Sequence, residues 1–439
     1  MPRTLATVTH AGGTDGTYEL ALDPTRSTLH TAIRVAGLAE AAGIDALFTA
    51  DLLRFGAQGV IGAQEPLVFV SALSQVTSRI GLIATVSTTF HHPFNLARLF
   101  GTLDHVSNGR AAWNLVTSAL GEENFGPGEL PSPEQRYARA AETLEIVNAL
   151  WDSWEPGALT LGPDGRAVLD PDRVHPIDHV GDFFSVAGPL NVPPLPQGRP
   201  VQIQAGQSAA GLELGARYAE VVFTSLPTLD VAQDFTQRIR ARAAALGRPA
   251  GLPLIFSSFH ATYGATEAEA QRLVAERREA IDFERGRAQV ADMLGGGPDL
   301  LARLAELPLD RPVPESLLPT LSSINGRRGR VEVFSRQVAR GDTLRELVIA
   351  AQDTGHWTVA GTPEQLADAV EERFRAGVLD VISLNGLDDP RRHEFVVDGL
   401  LAELRRRGIV GSPYPGRTLR ENLGLPPVGA GRERAVRHG

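Results

Sequence analysis

Two hydrophobic rhythms alternate along the chain. Short β-branched and apolar runs occur at Leu5–Thr9, Asp45–Ala50, Ile80–Ser87 and Ala111–Ser118, and again at Val201–Ala205, Glu220–Thr224, Leu254–Thr262 and Leu379–Leu384. Runs of this kind read as buried parallel strands. Between them, apolar residues recur three and four apart, which places them on one face of a helix. Thr28–Ala42 carries Leu29, Ile33, Ala36 and Leu38; Asn95–Val106 carries Leu96, Leu99, Phe100 and Leu103; Ser132–Trp151 carries Leu144, Val147, Leu150 and Trp151. Further helices are read at Ser208–Tyr218, Leu229–Leu246 and Glu394–Arg407. Capping boxes begin Ser132-Pro133-Glu134-Gln135 and Thr362-Pro363-Glu364-Gln365, and Gly43, Asn108-Gly109 and Gly377 supply stops. Eight strands alternating with helices predict an α/β fold, a TIM (β/α)8 barrel, with its functional groups at the strand C-termini.

Two stretches break the alternation. Residues 154–200 are rich in Pro, Gly and Asp, with extended pieces around Val180–Ala187, and residues 267–347 are helical but interrupted by Gly295-Gly296-Gly297 and Arg311-Pro312-Val313-Pro314. Both read as insertions into one barrel domain covering residues 1–439, the second of them over one mouth of the barrel. Gly411–Gly439, rich in Pro, Gly and Arg, reads as a surface strap and tail.

Composition narrows the chemistry. The net charge is −10, and no Lys/Arg block stands out in the first four hundred positions, which argues against a nucleic-acid partner. With no cysteine, disulfides, thiolate nucleophiles and cysteine-bound metals are excluded. The N-terminus lacks a secretory pattern and nowhere do about eighteen uninterrupted apolar residues occur, so the expected location is the cytoplasm, off the membrane.

Candidate groups sit where strands end. Asp51 closes the second strand and reads either as a carboxylate near a ring nitrogen or substrate, or as the cap of a turn. Thr85 and Ser87 share one strand face, as ligand-facing hydroxyls or as simple strand-end partners. Asn114 interrupts an apolar strand, and a buried amide must bond to something, a neighbouring backbone group or a ligand. Gly206, Gln207 and Ser208 join a strand to a helix start, a natural phosphate site and also a common bare junction. Tyr137 stands in the first turn of the capped helix, as a phosphate ligand or as packing on the insertion. The eleven histidines form no metal pattern, and no metal site is expected; His10 ends the first strand and His92 follows the third, each able to lean over a site.

The string STTFHHPFNLARLFGTLDHVSNGRAAWNLVTS, residues 87–118, resembles the signature of the flavin-dependent bacterial-luciferase-like superfamily, in its nitrilotriacetate, dibenzothiophene-sulfone and long-chain-alkane monooxygenase branch. Gly101 stands where serine is usual. RYARAAETLEIVNALWDSW, HVGDFFSVAGPLNVPPLPQGRPVQIQAGQS and VAGTPEQLADAVEERF look like segments of the same family, so the likeness spans nearly the whole chain. It implies FMN, taken as FMNH2 from a separate NAD(P)H-dependent flavin reductase, and O2 used through a flavin C4a-hydroperoxide to oxygenate a small organic substrate. It also implies a homodimer or homotetramer. Asp51 and Asn114 would then lie beside the flavin ring, and Tyr137, Gly206, Gln207 and Ser208 at its phosphate. Pro133 replaces a histidine of the family's H-D-x-R-Y motif, which removes one usual flavin contact. His10 and His92 are the candidates for a catalytic histidine. Rival readings are an F420-dependent hydride-transfer oxidoreductase of the same superfamily, a flavin-binding barrel without turnover, and a phosphosugar enzyme using the same helix-end anion site.

Overall fold

A computed structural model describes residues 4–11, 28–54, 64–118, 120–126, 128, 130–320, 324 and 328–428. The eight runs form β1 (Ala6–His10), β2 (Ala46–Thr49), β3 (Gly81–Ser87), β4 (Ala111–Val116), β5 (Val201–Ala205), β6 (Val221–Thr224), β7 (Leu254–Ser257) and β8 (Val381–Ser383). Each pairs in parallel with its sequence neighbours, and β8 returns to β1, closing the barrel. Around it lie α1 (Thr28–Ala42), α2 (Pro66–Ser74), α3 (Pro93–Val106), α4 (Pro133–Trp151), α5 (Ala209–Tyr218) and α6 (Leu229–Ala245). Both bonds of the capping box expected at Ser132 form, Gln135 N to Ser132 Oγ at 3.2 Å and Ser132 N to Gln135 Oε1 at 3.1 Å.

Alternation along the strands sorts side chains to two cores. Val8, Ile83, Ile203, Val221 and Val381 face the barrel interior, and Phe48, Phe223 and Phe256 pack as an aromatic layer towards the C-terminal mouth. The other set faces the helices: Trp113 stacks on Phe100 at 5.2 Å and donates its indole N–H to Val86 O at 3.0 Å. At the opposite mouth, Leu419 and Leu425 from the C-terminal stretch belong to the interior core. A Cβ on Gly81 would lie 2.5 Å from Leu419, so glycine at the start of β3 is what admits this plug.

One expected strand differs. The run read as Leu254–Thr262 leaves the barrel after Ser257, and Phe259–Tyr263 pairs with Trp357–Gly361 instead. Phe259 N is held by Ser383 Oγ at 3.1 Å and its ring packs on Trp357 at 4.7 Å, so a distant partner wins the second half of a continuous apolar run. Within 154–200 lie two antiparallel hairpins, Leu159–Leu161 with Ala167–Leu169 and His179–Val180 with Ser185–Val186. From residue 267 onward come α7 (Glu267–Glu279), α8 (Phe283–Met293), α9 (Pro298–Glu306), α10 (Arg328–Ala339) and α11 (Leu344–Gln352). Their apolar residues, Leu294, Leu304, Phe334 and Leu347 among them, make a satellite core of their own. Of the strap expected at 411–439, residues 429–439 lie outside the described residues.

Two carboxyls, Asp104 buried and Asp45 half-buried, make stability depend on pH. Asp104, fully buried, accepts from Gln197 Nε2 at 2.6 Å, and Asp45 accepts from Thr7 N at 2.7 Å and Thr7 Oγ1 at 2.9 Å. Burial outweighs these bonds and pushes both carboxyls up to about 6. Folding therefore takes up protons between about pH 4, the unfolded value, and about pH 6, and stability falls as pH rises through that window. Asp104→Asn is expected to flatten this slope and to add roughly 1–2 kcal/mol at neutral pH, read from urea unfolding on both sides of the window.

Candidate active site

A cavity of about 300 Å³ opens at the C-terminal mouth, as the fold places it. Its wall is built from strand ends: Asp51 after β2, Thr85 in β3, Val116 to Ser118 from β4, Ala205 to Ser208 from β5, and Phe223 to Ser225 from β6. The first turn of α4 adds Pro133, Arg136 and Tyr137, and the first turn of α10 adds Arg328, Gly329 and Arg330.

One end is shaped for an anion. Ser208 caps α5, accepting from Gly211 N at 3.2 Å, and its hydroxyl lies 3.5 Å from the Tyr137 hydroxyl. A Cβ on Gly206 or Gly211 would stand 3.0 Å from that same hydroxyl, so both glycines keep the corner open. The α5 N-terminus brings its unpaired N–H groups and positive dipole end to this corner. Arg136 builds the wall: its Nε donates to Pro131 O at 3.0 Å and its Nη1 to the carbonyls of Thr117 and Ser118.

The other end is apolar with buried amides behind it. Asn114, 3% exposed, pairs in register with Thr85 and donates Nδ2 to Thr85 Oγ1 at 3.0 Å. Its Oδ1 is buried without a hydrogen-bond partner, and so is Thr49 Oγ1 just before Asp51. An unsatisfied buried acceptor costs roughly 1–3 kcal/mol, which marks Asn114 as poised for a donor the protein does not supply. Burial raises the Asp51 carboxyl above its ordinary value.

The expected site residues thus divide. Asp51, Thr85, Tyr137, Gly206, Gln207 and Ser208 line one cavity, and Asn114 backs it through Thr85. Ser87 points into strand-end bonding, receiving the Ser118 hydroxyl at 2.7 Å and Thr89 N at 3.1 Å. His92 caps α3, accepting from Phe94 N at 3.3 Å, and packs edge-on against Phe184. His10 packs edge-on against Phe48 at 5.2 Å. Burial, then nearby His260, lowers it to about 4, so its imidazole is neutral at pH 7.

The spacing of residues gave no hint of a second histidine pair. Ser225 Oγ in the cavity wall lies 3.1 Å from His356 Nδ1, and His356 faces His260 at 5.3 Å. His260 Nδ1 is 3.2 Å from Asp353, which also pairs with Arg277. Burial, then His260 and Arg330, pushes His356 down to about 3. The Arg328-Gly329-Arg330 turn was equally unmarked, although three arginines around one glycine are visible in the sequence.

Comparison with known proteins places this architecture. A model of the luciferase-like monooxygenase family matches residues 1–380. N-acetyl-S-(2-succino)cysteine monooxygenase of Bacillus subtilis is 39% identical over 398 residues, 89% of this chain and 88% of that protein. Nitrilotriacetate monooxygenase component A of Aminobacter aminovorans is 38% identical over 366 residues, 82% of this chain and 79% of that protein. A riboflavin lyase solved with modified FMN and its substrate riboflavin superposes with a TM-score of 0.79 at 29% identity, covering 96% of each chain. The chain belongs to the luciferase-like monooxygenase family. It is a flavin-dependent, luciferase-like monooxygenase.

Proposed function

We propose that the enzyme binds FMN as FMNH2, delivered by a separate NAD(P)H-dependent flavin reductase, and uses O2 to oxygenate a small organic molecule. The observation that carries this reading is one cavity with a helix-end corner at Tyr137, Gly206 and Ser208, backed through Thr85 by an unsatisfied buried amide oxygen at Asn114. Bound reduced FMN supplies the oxygen chemistry: one atom of O2 goes to the substrate and the other leaves as water. The protein's own residues do the holding. Tyr137, Gly206, Gln207 and Ser208 take the phosphate, Asn114 Oδ1 accepts from the ring, and Thr85 and Asp51 border it. Phe223 presents an apolar surface that keeps water from the reacting face. His10 and His356, both neutral, stand behind the wall, His10 against Phe48 and His356 against Ser225 and Phe223.

The relatives support the two-component arrangement, since the nitrilotriacetate monooxygenase among them is a component A. The decisive test mixes the protein with FMN, a flavin reductase, NADH and O2, and follows an organic sulfide or amino acid substrate by mass. A product heavier by one oxygen, labelled from 18O2, supports the reading; peroxide alone, with every substrate tried, defeats it.

The same proposal takes residues 1–439 as one catalytic domain, with 154–200 and 267–347 as insertions and 411–439 as a strap, acting in the cytoplasm. It also takes the enzyme as a homodimer or homotetramer. Val68, Val76, Leu99 and Val106, on or beside α2 and α3, are exposed apolar residues, the kind of surface a partner copy covers. Val68→Glu, at a side 72% exposed, is expected to shift the sedimentation mass towards the monomer without unfolding the chain. An unchanged mass distribution would leave this face out of any assembly.

A further inference from the structure

We infer that Arg328, from the first turn of α10, is a cationic ligand for the phosphate of the bound flavin, so that α10 packs directly onto the cofactor. The inference rests on the FMN reading above. A phosphate carries about two negative charges at neutral pH and needs more than helix-end N–H groups to offset them. Three arginines line the cavity, Arg136, Arg328 and Arg330, and Arg330 Nη1 lies 4.0 Å from Met293 Sδ. Arg136 is spent on wall carbonyls, those of Pro131, Thr117 and Ser118.

Arg328 is placed differently. Its Nε donates to Ile324 O at 2.7 Å, which orients the side chain, and its Nη1 pairs with Glu134 at 2.6 Å. The Glu134 side chain is 68% exposed, so this pair is screened by solvent and contributes little, whereas Arg328 itself is largely covered. Glu134 follows Pro133, the cavity residue that offers neither a side-chain donor nor an N–H. The guanidinium therefore lines the cavity beside a residue of α4 that has no donor to give.

The backbone carries a second, independent sign. A Cβ on Gly329 would lie 3.2 Å from Gln207 N and 3.2 Å from Ser208 N. The Arg328–Arg330 turn thus lies directly on the loop whose amides face the corner. A side chain at this position would press on that loop.

The test measures FMN and riboflavin affinity side by side, because riboflavin has the ring without the phosphate. Arg328→Met is expected to weaken FMN binding about tenfold or more while leaving riboflavin binding unchanged. Glu134→Gln, which frees the guanidinium, is expected to tighten FMN a few-fold. Pro133→His in the Arg328→Met background is expected to recover part of the lost FMN affinity, since it places a donor on the same side. An unaltered FMN-to-riboflavin ratio in Arg328→Met overturns the assignment. Equal loss of both ligands overturns it too, by showing that Arg328 only holds α10 in place. If the parent protein binds neither flavin, the cofactor reading itself fails; if it binds both equally well, only the phosphate corner does.

Discussion

Replacing Asn114 by leucine is expected to lower FMN affinity about 10- to 100-fold while leaving the empty protein within about 1 kcal/mol of the parent. The two effects separate because the amide serves two clients. Its Nδ2 donates to Thr85 Oγ1, a hydroxyl that rotates to other partners when released. Its Oδ1 has none in the folded protein, so the empty enzyme loses an unsatisfied acceptor along with one bond. Only the bound ring loses something it cannot replace. Melting curves with and without FMN, together with a flavin fluorescence titration, measure both sides. Unchanged FMN affinity in a folded variant would remove Asn114 from the site.

Arg420→Met is expected to cost about 3 kcal/mol of stability, with flavin affinity unchanged. Arg420 and Glu220 have side chains 5% and 15% exposed, and their pair ties the C-terminal stretch to the start of β6. Arg420 Nη2 also donates to Arg199 O at 3.0 Å, and Nη1 to Pro426 O at 3.1 Å. Methionine keeps the volume but strands the Glu220 carboxylate, which then meets only Gln202 N at 3.0 Å. Adding Glu220→Gln should return much of the loss, since the double variant buries no lone charge. Urea unfolding of the four proteins closes that cycle. A loss confined to flavin binding would contradict it, because this pair lies at the mouth opposite the cavity.

The barrel was legible because its signals are local. Ile80–Ser87 and Ala111–Ser118 announce buried strands by composition, and Ser132 with Gln135 announces a helix start by two bonds three residues apart. The anion corner was legible for the same reason: glycine at 206, serine at 208 and a helix after them are chemistry written within one short segment. His92, before Pro93, serves as the cap of α3, accepting from Phe94 N. What could not be read joins distant parts of the chain. Arg328 meets Glu134 across 194 residues and Ser225 meets His356 across 131, and no periodicity reports such pairs. The Leu254–Thr262 run fails likewise: nothing in LIFSSFHAT marks Ser258 as the place where the chain trades its barrel neighbours for Trp357–Gly361.

The placement of Leu419 and Leu425 inside the barrel bears on how the protein is made. A chain emerging from the ribosome can pair β1 to β8 as soon as Ser383 is out, yet its interior stays open at one mouth until residue 425 follows. Completion of the core therefore waits on residue 425, and any product ending before that point is a barrel with an uncovered apolar end.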